Sequence, residues 1–345
     1  MRCTGRSARY KRACRRRNRI VCIMTIFLIL LCFGATSLYL QYNSKKDEHL
    51  AVEYESSHYN KVLFRGDLYS ADLCVAAGDV SMENAPDTNT LKAAALFDVD
   101  EKGTDFAYKI HEKMYPASLT KLMTALVTFD SGMDLSETVT VSSNADSGRF
   151  AVDEQVCGIK EGDQLSLESL LYGLLVYSGN DNAVAIAEHV GGSVDKFAEM
   201  MNAKAQEIMA THSHFINPNG LHNENHYTTA YDMYLIFNKC IKNDKFMEII
   251  QADSYEADVK RADGSNTTIK WEPTSYYALG EAKLPKSGKI IGGKTGTTLS
   301  AGNCLILLDE SDSGKPFISI VMGAETKELL YQDMTALIEG ISDDK

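Results

Sequence analysis

The chain has 345 residues, 44% of them apolar, and a formal charge of -12, which is length and hydrophobic content enough for one large domain or two smaller ones. The charge is unevenly placed. With the nine basic residues of the first 19 set aside, the remainder carries -21, a surface that repels nucleic acid and anionic lipid headgroups.

Residues 1–19 hold eight arginines and Lys11 with no acid, a basic cytoplasmic tail. Ile20 to Leu40, "IVCIMTIFLILLCFGATSLYL", follows as 21 uncharged residues, long enough to span a bilayer as one helix. The basic flank predicts a single-pass signal-anchor with the N-terminus inside and everything after Leu40 outside. A cleaved signal peptide is the alternative, since Gly34, Ala35, Thr36 and Ser37 are small; in that case the chain is secreted. The apolar run exceeds the usual signal-peptide core, which favours the anchor. Residues 41–66 read as a polar juxtamembrane linker, and 67–345 as the working domain.

From Leu91, two strands are predicted around a turn at Glu101, Lys102 and Gly103. "PASLTKLMTALVTF" then opens a helix near Ser118. Its apolar stripe is Leu119, Leu122, Met123, Leu126 and Val127, and it sets Ser118 and Lys121 one turn apart. "VTVSSNA" is strand-like. Two largely apolar helical runs, Leu167–Val176 and Asn182–Val190, are broken by Ser178, Gly179 and Asn180, and polar groups between buried helices need partners.

A further helix follows Ser193, a plausible cap, and another starts at Thr229 and Asp232, at capping-box spacing. A long irregular stretch with the single Trp271 leads to "KIIGGKTGTT". Two more strands turn through Ser313 and Gly314. A helix from about Thr326 to Ile341 closes the chain. Strands at both ends of the domain around a helical middle predict an α+β fold, with N- and C-terminal strands paired in a mainly antiparallel sheet and an inserted helical lobe.

Cys74, Cys157, Cys240 and Cys304 lie outside the N-terminal segment, far apart and without a CxxC. They form two disulfides by any of three pairings, or none; in a domain of this size buried single thiols are the default. His212, His214, His222 and His226 flank the turn Asn217-Pro218-Asn219-Gly220, so no one helix presents them together and no metal site is expected.

An S-x-x-K tetrad alone is weak. Ser118 and Lys121, then Ser178-Gly179-Asn180, then Lys294-Thr295-Gly296, in this order, are together a strong signal. With these motifs the chain resembles the penicillin-recognising serine enzymes, and within them the low-molecular-mass D-alanyl-D-alanine carboxypeptidases. The likeness is closest in "YPASLTKLMTALVTF", "LLYGLLVYSGNDNAVAIAEHVGGS", "THSHFINPNGLHNENHYTTAYDM" and "GGKTGTTLSAGNCL", and extends from about Leu91 to Ile341. It implies a β-lactamase/DD-peptidase-like fold. It also implies a hydrolase of peptidoglycan pentapeptide stems ending in D-Ala-D-Ala, blocked covalently by β-lactams, with no cofactor.

A serine hydroxyl needs a base, and a desolvated Lys121 can be neutral near pH 7, the more so beside a cationic Lys294. By resemblance, Ser118 is the nucleophile, and the backbone N–H groups of Ser118 and Thr297 form the oxyanion hole. Ser178 relays a proton to the leaving nitrogen, Asn180 bonds the substrate's backbone amide, and Lys294 with Thr295 holds the terminal carboxylate. "WEPTSYY", Trp271 to Tyr277, departs from an asparagine-containing family segment. Many relatives carry a C-terminal β-domain and anchor, whereas this chain ends 49 residues after Gly296, which favours the N-terminal helix as tether. The alternatives are a serine β-lactamase on the same fold, for which no class A-like deacylating glutamate segment is evident, and a non-catalytic wall-binding or β-lactam-sensing protein. The last would be marked by loss of Ser118, Lys121 or Lys294, all of which are present.

Overall fold

The computed structural model describes Met24, Thr36 and residues 69–341. Its contacts divide the chain into two units, Met1–Asp72 and Leu73–Lys345. In the first unit the described residues are Met24 and Thr36, both helical, and a short turn of 3-10 helix, Tyr69–Asp72. The anchor expected over Ile20–Leu40 lies outside the described residues, apart from Met24 and Thr36. Among the described residues no helix is long and apolar enough to cross a membrane.

The second unit begins with strands β1 (Ala93–Asp98) and β2 (Gly103–Tyr108), followed by helix α1 (Thr120–Asp130) and strands β3 (Thr138–Thr140) and β4 (Gln164–Ser166). Helices α2 (Leu167–Tyr172), α3 (Asn180–Gly191), α4 (Val194–Glu207), α5 (Ala230–Cys240) and α6 (Asp244–Ile250) make up the middle. The hairpin β5 (Tyr255–Lys260) and β6 (Asn266–Trp271) and the short helix α7 (Tyr276–Leu279) come next. Strands β7 (Lys289–Thr298), β8 (Gly302–Glu310) and β9 (Pro316–Ala324) precede the closing helix α8 (Lys327–Glu339).

Five strands form an antiparallel sheet in the order β2-β1-β9-β8-β7. The N- and C-terminal strands pair as expected, Ala93 with Met322 through Asp98 with Phe317. Every residue of β1 is buried because both faces of the sheet are covered. Ala93, Ala95 and Phe97 enter the core shared with α1–α6, whereas Ala94 and Leu96 enter a smaller core under α7 and α8. In α8, Leu330, Met334, Leu337 and Ile338 make the buried stripe, and Thr326 Oγ1 caps the helix by accepting from Leu329 N.

Two expectations need correction. "VTVSSNA" does not continue as a strand: pairing stops at Thr140, and Ser142 Oγ accepts from Asn144 N and Ala145 N, capping a 3-10 turn instead. The stretch around Trp271 is not irregular. It contains α6 and the β5–β6 hairpin, which completes a second sheet in the order β3-β4-β5-β6. Burial along β5 alternates, and the connection carries Asp263-Gly264 with Gly264 at φ +85°, so both an alternating pattern and a turn dipeptide marked this hairpin. The four cysteines after residue 72 are free, buried thiols.

Candidate active site

Three elements converge at the seam between the helical lobe and the edge strand β7. The first is the turn into α1. Ala117 adopts φ +48°, and residues 117–119 form a single 3-10 turn, so Ser118 stands just ahead of the α-helix rather than within it. The loop 217–221 closes over this turn. A Cβ on Gly220 would lie 1.8 Å from the Ala117 carbonyl oxygen, so only glycine fits there. His226 braces the same turn: its Nδ1 accepts from Ile216 N, which leaves the proton on Nε2 to donate to Thr120 Oγ1 at 2.8 Å. Burial, and then His214 and His222, lower its pKa to about 4, so it is neutral at pH 7. His214 Nδ1 in turn meets Asn225 O, and His222 lies edge-on to Tyr115. Among the described residues no group of three His, Cys, Asp or Glu side chains could hold a metal ion.

Lys121 is completely buried, and its Nζ lies 3.0 Å from Ser118 Oγ, 2.8 Å from Asn180 Oδ1 and 2.8 Å from Asn219 O. Burial first, and Lys294 second, depress its pKa well below the usual lysine value, against smaller opposing effects of Cys157 and Asp181. In its neutral form this amine has two N–H groups and one lone pair. Two of its three neighbours are carbonyl oxygens, which can only accept, so they take both N–H groups. In that form the lone pair is left for the Ser118 hydroxyl to donate to, whereas as the ammonium Nζ donates to Ser118 Oγ as well.

The second element is the break between α2 and α3. After Tyr172 the helix widens into one π turn, Gly173–Tyr177, and Ser178 ends it at φ +70°. Glycines make the crossing possible. A Cβ on Gly173 would fall 2.0 Å from Asn182 Nδ2, and one on Gly179 2.4 Å from Cys157 Sγ. Asp181 anchors the loop in front: Oδ1 accepts from Cys157 N and Asn182 N, and Oδ2 from Gly158 N and Ile159 N. Trp271 Nε1 donates to Cys157 O from the other side. The polar triplet is thereby satisfied, with Asn180 Oδ1 turned to Lys121.

The third element is β7. Side chains alternate along it: Lys294 pairs with Ile306 and points into the helical-lobe side, whereas Thr295 pairs with Leu305, whose side chain belongs to the α8-side core. Lys294 is 2% exposed and donates to Ser178 Oγ and Thr295 O, each at 2.9 Å. Burial lowers its pKa to about 7. A Cβ on Gly296 would stand 3.1 Å from both Ser118 N and Leu119 N, so β7 runs directly against the Ser118 turn. Thr297 Oγ1 donates to Asn303 Oδ1. Thr295 Oγ1 lies 2.7 Å from Thr274 Oγ1.

Ser118, Ser178, Asn180, Thr295 and Thr297 all line one open cleft of about 730 Å³. Lys121 and Lys294 lie behind its wall and reach it through the two serines. The structure therefore gathers all seven sequence-predicted residues. Asn219, Gly220, Asp181 and Thr274 were not singled out. Gly220 sat in a visible turn and Asp181 beside a motif, but Thr274 and the Asn219 carbonyl act through tertiary contacts that no local pattern marks.

The sequence profile of the family described as D-alanyl-D-alanine carboxypeptidase matches residues 81–326. Among individual relatives, the D-alanyl-D-alanine carboxypeptidase DacF of Bacillus subtilis is 29% identical, over 72% of this chain and 61% of its own length. DacD of Escherichia coli is 31% identical, over 63% of this chain and 54% of its own length. The chain spans about six tenths of the length of the curated relatives that it matches. Among solved structures, penicillin binding protein 5 of Haemophilus influenzae superposes with a TM-score of 0.62 at 26% identity, covering 76% of this chain and 70% of that one. The Streptomyces K15 DD-transpeptidase gives 0.67 at 24% identity, covering 76% and 98%, a likeness of fold.

Proposed function

The chain belongs to the D-alanyl-D-alanine carboxypeptidase family, and from this we propose that it is a serine D,D-carboxypeptidase removing the terminal D-alanine from peptidoglycan stem peptides. The observation that carries the proposal is the Lys121 amine, buried, held by two carbonyl acceptors and set 3.0 Å from Ser118 Oγ. In the acylation step Ser118 Oγ attacks the carbonyl of the D-Ala-D-Ala bond as its proton passes to Lys121 Nζ. The negative charge on the carbonyl oxygen is met by the N–H groups of Ser118 and Thr297. Removing one such donor typically costs about 10²–10³ in rate.

The C–N bond then breaks. D-Alanine leaves with a proton delivered through Ser178, which Lys294 holds at 2.9 Å. Water, deprotonated at the same base, attacks the ester and restores Ser118. Asn180 Oδ1 is taken by Lys121, so its Nδ2 is the group offered to the substrate's backbone amide, at the carbonyl. Lys294 and Thr295 take the terminal carboxylate, and the lysine's charge favours this below its pKa of about 7. β-Lactams would acylate Ser118 by the same first step.

Residues 1–19 as a cytoplasmic tail, 20–40 as a membrane anchor, 41–66 as a linker and 67–345 as the external catalytic domain complete the proposal. It rests on the 21-residue uncharged run behind nine basic residues. The test is D-alanine release from an N-acetylated tripeptide ending in D-Ala-D-Ala by the full chain in mild detergent. Release that disappears in Ser118→Ala supports the reading, and a folded chain that releases none refutes it.

A further inference from the structure

β7 is the end strand of its sheet, and its open edge runs along the Ser118 cleft. Thr295, Thr297 and Leu299 succeed one another there, and each lines the cleft. Leu299 stands in the turn to β8 with its side chain fully exposed. Among the described residues it is the one exposed large apolar side chain that lines this cleft. The turn beneath it is braced: Thr298 Oγ1 accepts from Ala301 N at 3.0 Å, Thr297 Oγ1 donates to Asn303 Oδ1, and Asn303 Nδ2 donates to Ala324 O at 3.1 Å. Gly302 completes the turn at φ +73°. An aliphatic side chain held in water at the mouth of a polar cleft gains free energy only when something apolar covers it.

We propose that Leu299 is a specificity-determining residue that selects a long aliphatic side chain on the residue preceding D-Ala-D-Ala. This deepens the carboxypeptidase reading and rests on it. Two points on β7 fix the direction of the substrate: the terminal carboxylate at Lys294 and Thr295, and the scissile carbonyl oxygen at the N–H of Thr297. The substrate therefore runs antiparallel to β7, and its N-terminal part continues past Thr297 toward Leu299. The scissile carbonyl belongs to the penultimate D-alanine. The residue before it is thus the one that arrives beside Leu299, since both chains advance by about 3.3 Å per residue. A methyl group there is too short to cover the leucine, whereas a linear chain of several methylenes lies across it.

The experiment compares kcat/KM for D-alanine release from two N-acetylated tripeptides, X-D-Ala-D-Ala with X either L-alanine or L-norleucine, by the full chain in mild detergent. Norleucine adds three methylenes. With about half of that surface covered by Leu299, the unmodified chain should favour the norleucine peptide by roughly 5–10-fold. Leu299→Ser should reduce this preference to about twofold or less, whereas Leu299→Met, which keeps an apolar contact of similar volume, should preserve it. Leu279→Ser removes an exposed leucine of α7 that does not line the cleft, and should leave the preference where the unmodified chain has it. Leu299 is fully exposed, so its substitution removes no core contact and the variants fold. An unmodified chain that releases D-alanine equally well from both peptides overturns the assignment of Leu299. So does a preference that survives Leu299→Ser, or one that falls as far in Leu279→Ser. Absence of D-alanine release by the unmodified chain overturns the reading beneath it, and the role of Leu299 with it.

Discussion

On the helical-lobe side of the five-stranded sheet, Lys121 and Lys294 are buried and each amine meets only named oxygen partners. On the α8 side, Asp309 of β8 is just as deeply buried, yet neither of its carboxylate oxygens has a hydrogen-bond partner. Ser319 lies near it and weakly favours the ionised form, but no bond of proper geometry joins them. Desolvation shifts all three groups toward neutrality: it lowers Lys121 well below the usual lysine value, brings Lys294 to about 7 and raises Asp309 to about 7. A shifted pKa therefore does not by itself mark chemistry. What distinguishes the cleft side is directed geometry, with acceptors that fix where a lone pair points, whereas Asp309 carries a burial cost that faces no cleft.

The largest effect that sharpens this contrast is Lys121→Ala. Removing the positioned amine should slow D-alanine release by about 10²–10⁴-fold while the chain stays folded. A variant that retains near-normal turnover would mean that the lysine is buried without being the base.

A smaller effect of opposite sense is expected on the other face. Asp309 has a folded pKa above its unfolded value, so the folded state holds the extra proton. The stability that this proton brings is complete below about pH 4 and is lost as the pH rises through 7. Asp309→Asn should therefore melt with the unmodified chain at pH 4 and be more stable by about 4 kcal/mol at pH 8, with D-alanine release unaltered. Thermal unfolding at the two pH values checks this. A variant less stable at pH 8 would show that the carboxylate has a partner there.

Much of this architecture was legible in the sequence because it rests on local rules. The apolar stripe of α1, the caps at Ser193, Thr229 and Thr326, and the pairing of the first and last strands all follow from periodicity and turn residues. The Thr229 and Asp232 spacing gave the helix start but only half a capping box: Thr229 Oγ1 accepts from Asp232 N, while the Asp232 carboxylate accepts from His212 N and Ser213 Oγ instead. Tertiary demand outbid the local pattern there.

The β5–β6 hairpin was missed although alternation and Asp263-Gly264 announced it. Its outward positions are so polar that the stretch reads as loop until the buried Ala257 and Val259 are seen packing inward. In the cleft, spacing brought Ser118 and Lys121 within a turn, but nothing local could show that Asn219 O and Asn180 Oδ1 would aim the amine. That information lies in contacts 98 and 59 residues apart.

The most direct measurement of the central claim is the intact mass of the full chain incubated with benzylpenicillin over time. The account predicts a persistent adduct of one penicillin that is absent in Ser118→Ala and forms far more slowly in Lys121→Ala. Penicillin hydrolysed without an accumulating adduct, or no reaction in folded protein, would contradict it.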